Sequence, residues 1–172
     1  MIIAQTERLL IRQLTVDDAP FILKLVNEPA WLAYIGDKGV RSVEDAVNYI
    51  LSGPMKSYEM NGFGLWLVQL LQSNEPIGMC GLIKRDTLPI PDIGFAFMAA
   101  HNGKGYAHEA ATAVLDYARN KVGLLHLLAI VNQDNVRSIH LLEKLGFRFE
   151  RLITMPGEQR SINVMGVSLE PI

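Results

Sequence analysis

Hydrophobic and polar positions along this chain change period several times, and each change marks an element. Arg8 to Arg12 alternates as a short strand does. Thr15-Val16-Asp17-Asp18 then supplies capping residues for a helix over about Ala19 to Asn27, whose apolar face is Phe21, Ile22, Leu25 and Val26. Pro29 is expected to end that helix. Glu28 to Arg41, with Trp31, Tyr34, Gly36 and Gly39, reads as a loop with a short helical turn. Ser42 opens a second helix with an acidic first turn at Glu44 and Asp45; it is expected to run to about Ser52, where Gly53-Pro54 closes it.

From Gly64 the period shortens to that of strands. Leu65 to Leu71 and Pro76 to Lys84 flank a hairpin turn at Gln72-Ser73-Asn74-Glu75. After a longer connection, Ile93, Phe95 and Phe97 alternate with Gly94, Ala96 and Met98 as another strand. A glycine-containing loop, His101 to Tyr106, opens directly into a helix with Ala107, Ala110, Ala111, Val114, Leu115 and Ala118 on one face. Leu127 to Val131 is a buried-type strand, and Arg148 to Ile153 with Ser161 to Leu169 form a final antiparallel pair. No repeat, low-complexity tract or linker divides the chain, so residues 1–172 are expected to form one mixed α/β domain.

Composition changes this picture little. A chain of 172 residues suits one domain with a sizeable core, and 49% hydrophobic with 20% charged residues is ordinary for a soluble protein. A net charge of -2 gives no electrostatic case for nucleic acid or an anionic membrane, and positive substrates are easily accommodated. Met1 to Gln5 lacks the basic and apolar pattern of a signal peptide, and the apolar runs are too short to span a bilayer; the expected location is cytoplasmic. Cys80 is the only cysteine, which excludes an intramolecular disulfide, and it lies in an apolar strand as a core residue does.

The chemistry concentrates at the loop before the long helix. First-turn amides of a helix lack partners, and the glycines at 103 and 105 allow backbone N–H groups to come close to a phosphate. A turn that merely lets a strand become a helix is the plain alternative. The loop is not a Walker motif, because Lys104 is followed by Gly105 and no Ser or Thr, and not a dinucleotide fingerprint, because His108 holds the third small-residue position. His108-Glu109 begins like a zinc-protease motif, but Thr112 replaces the second histidine, and the other histidines have no ligand spacing; no metal is expected.

Together with Asn132, Asn135, Ser138 and the closing Leu145-Gly146-Phe147, this loop resembles the GNAT family of acyl-CoA-dependent N-acetyltransferases. Asn102-Gly103-Lys104-Gly105-Tyr106-Ala107 matches the family's pyrophosphate loop, with Asn102 where Gln or Arg is usual. The opening Thr6 to Arg12 resembles the branch containing the ribosomal-protein N-terminal acetyltransferases. The resemblance implies an α/β (α+β) fold with a central, mostly antiparallel sheet, splayed between its fourth and fifth strands to admit CoA. It also implies acetyl-CoA as co-substrate, with an amine acceptor attacking it directly in a ternary complex.

On that basis the cofactor-binding set is Phe97, Met98, Asn102, Gly103, Lys104, Gly105, Tyr106, Ala107, Asn132, Asn135 and Ser138, with an oxyanion donor among the amides of Phe97 to Met98. Many members place a thiolate-protonating tyrosine where this chain has Leu142. Ser138, one turn earlier on the same face, takes that role in the N-terminal-acetylating branch; a hydroxyl bonded back to its own helix is the alternative. Asn135 binds CoA, caps the helix, or does both. Lys104 touches phosphate or faces solvent.

An amine attacks a thioester only when neutral, so a proton acceptor is needed. Asp92 is the best-placed carboxylate, and a water relay is the alternative; Glu109 reads as a first-turn dipole partner. Trp31 and Tyr34 line the acceptor pocket or anchor their loop. The expected acceptor is a protein N-terminal α-amine. A polyamine, an aminoglycoside or another small amine, and a catalytically silent acyl-CoA-binding module, are the alternatives. Monomer and homodimer are both open.

Overall fold

A computed structural model describes residues 1–170; Pro171 and Ile172 of the expected domain lie outside the described residues. The strands are β1 (Ile2–Gln5), β2 (Leu9–Arg12), β3 (Leu65–Leu70), β4 (Pro76–Ile83), β5 (Asp92–Phe97), β6 (His126–Asn132), β7 (Arg148–Thr154) and β8 (Ser161–Ser168). They form one sheet in the order β1-β2-β3-β4-β5-β6-β8-β7, antiparallel throughout but for the β5–β6 pair. The helices are α1 (Ala19–Leu25), α2 (Pro29–Tyr34), α3 (Val43–Ile50), α4 (Lys56–Asn61), α5 (Tyr106–Tyr117) and α6 (Val136–Lys144).

The period-two alternation read from the sequence sorts side chains onto two faces. Trp66, Val68, Cys80, Leu82 and Ile93 pack with α5 through Ala110, Ala111 and Val114. Their neighbours Leu67 and Met79 point the other way, to a second core holding Ile22 and Leu25 of α1, Trp31 of α2, and Ala46 and Ile50 of α3. Burying apolar area on both faces is what makes the central strands continuous hydrophobic runs. Arg12 fastens the start of α1 to β2, its guanidinium meeting both carboxylate oxygens of Asp18 at 2.9 Å. Asp18 also accepts from the Thr15 amide, completing a capping box.

Three expectations are corrected. Pro29 does not end a helix but begins α2, where its fixed φ suits the first helical turn. Gly53-Pro54 does not close the second helix; α3 runs through a π-type turn, Leu51–Met55, into α4. Proline lacks an N–H and crowds the carbonyl four residues back, and a widened turn accommodates both faults. The chain leaves this helical stretch only at Gly62, in a left-handed conformation with φ 76°. Finally, β1 was not anticipated, and it shifts the strand count by one. The splay lies between the same two segments as expected, now numbered β5 and β6.

Candidate active site

Strands β5 and β6 stay paired only at Asp92 with Leu128 and Ile93 with Ala129. Beyond that they diverge: β5 continues against β4 as far as Phe97, and β6 against β8 as far as Asn132. Because backbone groups alternate sides along a strand, the amides of Phe95 and Phe97 face the gap. Met98, by contrast, donates its N–H to Ile77 at 2.9 Å, so of the pair expected to supply an oxyanion donor only Phe97 presents its amide to the cleft. The cleft has a volume of about 1430 Å³ and carries Gly94 to Phe97, Asn102, Ala107, Asn135 and Ser138 on its walls.

At one end of the gap stands the glycine loop. Gly103 and Gly105 adopt φ of 79° and 82°, conformations an L side chain rarely takes, and Gly105 precedes α5 directly. Among the described residues, no amide from Gly103 to His108 finds an acceptor. Successive free N–H groups at the positive end of a helix dipole are what a pyrophosphate needs. Lys104 has an exposed side chain.

This loop is held by a residue that sequence reasoning did not assign to the site. Arg8, at the turn into β2, donates from Nε to Glu109 Oε1 at 2.7 Å and from Nη1 to the Lys104 carbonyl at 2.9 Å, with its Cζ 4.5 Å from the Tyr106 ring centroid. A peptide's C=O and N–H point opposite ways, so a Lys104 carbonyl held by Arg8 turns the Gly105 amide to the other side. Glu109 also accepts from the Thr6 hydroxyl and the Arg8 amide, contacts that hold its carboxyl below the usual range against its partial burial. Glu109 is thus a structural anchor. The signal in the sequence was its place in the first turn of α5.

On α6, Asn135 Oδ1 accepts from the Ser138 amide at 3.4 Å as the helix N-cap. The Ser138 hydroxyl makes no hydrogen bond among the described residues, unlike Ser52 and Thr112, which bond back to their own helices. Leu142 is buried in the α5-side core. Asn132 also lines the cleft, where its Nδ2 donates to the Tyr34 carbonyl at 2.7 Å. Glu28 Oε1 accepts from the Ala99 amide at 2.9 Å. Helix α2 therefore bridges the splay, fastened near the end of β5 at one side and at the end of β6 on the other.

Asp92 lies at the foot of the splay. It shares a face of β5 with Ala96 and Met98, which pack toward α1 and α3, so it faces away from α5. It is fully buried; Oδ1 accepts from Arg85 Nε at 3.0 Å, and Oδ2 has no partner. Burial pushes its carboxyl up to about 6, although the Arg85 charge and hydrogen bond pull the other way. Arg85, on the β4–β5 connection, carries no sequence signal beyond its charge. Burial also pushes the Cys80 thiol up, away from the thiolate that nucleophilic catalysis requires. Among the described residues no helix is long and apolar enough to cross a membrane.

A sheet splayed between two parallel strands, with a cradle of free amides beside the gap and a buried carboxylate at its foot, is the architecture of a CoA-dependent acyltransferase. Comparison with known proteins makes this specific. Residues 8–148 match the acetyltransferase (GNAT) domain. The chain is 30% identical to YkkB of Bacillus subtilis (strain 168) over 140 residues, 80% of this chain and 79% of YkkB. A segment of 50 residues, 29% of this chain, is 40% identical to 27% of the spermidine N(1)-acetyltransferase of Escherichia coli (strain K12). In fold, RimL, a ribosomal L7/L12 alpha-N-protein acetyltransferase solved with coenzyme A, matches with a TM-score of 0.83 at 17% identity, covering 98% of each chain. The chain belongs to the GNAT family and is an N-acetyltransferase. Acetyl-CoA is that family's acetyl donor, and the alternative of a catalytically silent module falls away.

Proposed function

We propose that the protein transfers an acetyl group from acetyl-CoA to the α-amine of a peptide or protein N-terminus, by direct attack within a ternary complex. The observation that carries the reading is Asp92, a buried carboxylate with one free oxygen on the acceptor side of the splay. The amides of Gly103, Lys104, Gly105, Tyr106 and Ala107 bind the pyrophosphate, with Asn102 at the loop's edge, and the opened strand edge takes the pantetheine arm. Acetyl-CoA supplies the activated acyl group. An α-amine with an ordinary pKa of about 8 must give up its proton, which a dry site favours by penalising the ammonium form. Asp92, ionised at neutral pH, accepts that proton at Oδ2 through a water relay, since about 16 Å of strand separates it from the Phe97 amide. Phe97 N–H donates to the carbonyl oxygen as charge develops on it. Ser138, whose hydroxyl has no other duty, meets the departing sulfur, and Asn135 sets the helix end that presents it.

Small amines are the second reading, favoured by the likeness to a spermidine N(1)-acetyltransferase over part of the chain. Mass spectrometry of mixed short peptides and small amines incubated with purified protein and acetyl-CoA separates the two. An added acetyl group on peptide α-amines is the expected result. Acetylation of small amines alone would discard the protein acceptor and keep the transfer chemistry.

A further inference from the structure

Four buried polar atoms lack a hydrogen-bond partner among the described residues: Trp31 Nε1, Trp66 Nε1, Asp92 Oδ2 and His101 Nδ1. Trp66 lies in the α5-side core, edge-to-face with Tyr117 at 5.0 Å between centroids, and His101 is engaged through its other nitrogen with Glu75. Neither borders the cleft. Trp31 and Asp92 both do, and they are a matched set, one donor and one acceptor. Burying a polar group without a partner is unfavourable, and a ligand that completes both groups removes that penalty.

We infer that Trp31 is a specificity-determining residue whose indole N–H donates to a carbonyl carried by the acceptor beside its amine. The inference rests on the reading of Asp92 as the group that receives the amine. The indole is only 5% exposed, and it cannot swing freely. Its helix is tied at both ends, by Glu28 to the Ala99 amide and by Asn132 to the Tyr34 carbonyl. An N-terminal peptide unit answers both orphans, its first carbonyl receiving from Trp31 and its amine reaching Asp92 through water, because five residues of β5, about 16 Å, separate Asp92 from the Phe97 amide. A polyamine has methylenes beside its reacting amine and protonated amines beyond them, so it offers the indole N–H no carbonyl acceptor. Charge argues the same way. Lys38, Lys56, Lys84 and Arg137 line the cleft without ion pairs among the described residues, against Glu28, Asp86 and Glu158, so its unpaired charge leans slightly positive.

The test compares wild type with Trp31→Phe on alaninamide, on 2-aminobutane, which replaces the carboxamide by a hydrocarbon, and on spermidine. The expected result is a loss of about tenfold in kcat/KM for alaninamide in Trp31→Phe, the size of one hydrogen bond to a buried donor, with 2-aminobutane unchanged and KM for acetyl-CoA unmoved. Asn132→Ala keeps the indole but frees one end of α2, and is expected to erode the same preference more weakly. Equal losses on alaninamide and 2-aminobutane, or spermidine as the better wild-type acceptor, would overturn the inference and leave amine acetylation standing. Acetylation of none of the three would overturn both the inference and the acceptor reading beneath it.

Discussion

At Asp92 the ionisation of one buried side chain bears on folding and, in the proposed mechanism, on activity with opposite sign. In the unfolded chain its carboxyl titrates at an ordinary 3.8, and in the fold at about 6. The native state therefore holds the proton more firmly, so the stability this group contributes is fully present below 3.8 and is lost as pH rises through about 6. The full swing corresponds to about 3 kcal/mol at 1.36 kcal/mol per pKa unit. Thermal melts across that window should show Asp92→Asn missing the decline that wild type undergoes. With Asp92 as the proposed base, activity is expected to run the other way, rising through about pH 6 as the carboxylate forms. Removing it by Asp92→Asn should lower kcat by about 100-fold or more and abolish that acid limb, with acetyl-CoA binding by calorimetry unchanged. Ser138→Ala is expected to lower kcat by about tenfold at unchanged acetyl-CoA affinity, since only a transition-state contact is removed. An unaltered rate would reject Ser138 as the sulfur's partner.

Among the elements, the glycine loop and α2 differ in what fixes them. The loop's chemistry follows from local sequence, because Gly103 and Gly105 at positive φ and the start of α5 dictate where its amides lie. Its rigidity comes from Arg8, 96 residues away in sequence from the Lys104 carbonyl it holds. Arg8→Ala should raise KM for acetyl-CoA by about tenfold, that of two lost charge-assisted contacts at a partly exposed site, and leave KM for the acceptor alone. Arg8→Lys should recover only part, because an ammonium cannot span Glu109 and the Lys104 carbonyl as a planar fork does. Equal changes in both KM values would mean that Arg8 supports the fold at large. Helix α2 was legible only as a helical turn, and Pro29 was misread because proline stops one helix and starts another equally well.

In the whole molecule, two cores share one sheet, and the sheet tolerates little between its strands. A Cβ on Gly81 would come within 2.0 Å of the carbonyl oxygen of Gly64, the residue just ahead of β3. Gly81→Ala should therefore destabilise the protein by about 1–3 kcal/mol or more, seen as a lowered denaturation midpoint. The short β1 escaped sequence reading because Ile2 to Gln5, at the end of the strand order, offers too few positions to show a period. Gly53-Pro54 misled for a different reason: the π-type turn that absorbs the proline is held by α3 and α4 on either side, which no local pattern reports.

Alternation of apolar positions, the glycine spacing before α5 and the caps at Thr15, Ser42 and Asn135 determined the strands, most helices and the glycine loop. Those are properties of neighbours in sequence, governed by backbone sterics and side-chain period, and they can be read from the chain alone. Tertiary structure decided the rest. Only folding brings Arg8 behind the loop, joins Asn132 to Tyr34 across the splay, and buries Asp92 beside Arg85 with one oxygen free. Each depends on distance between segments remote in sequence and on the exclusion of water, which no residue carries by itself.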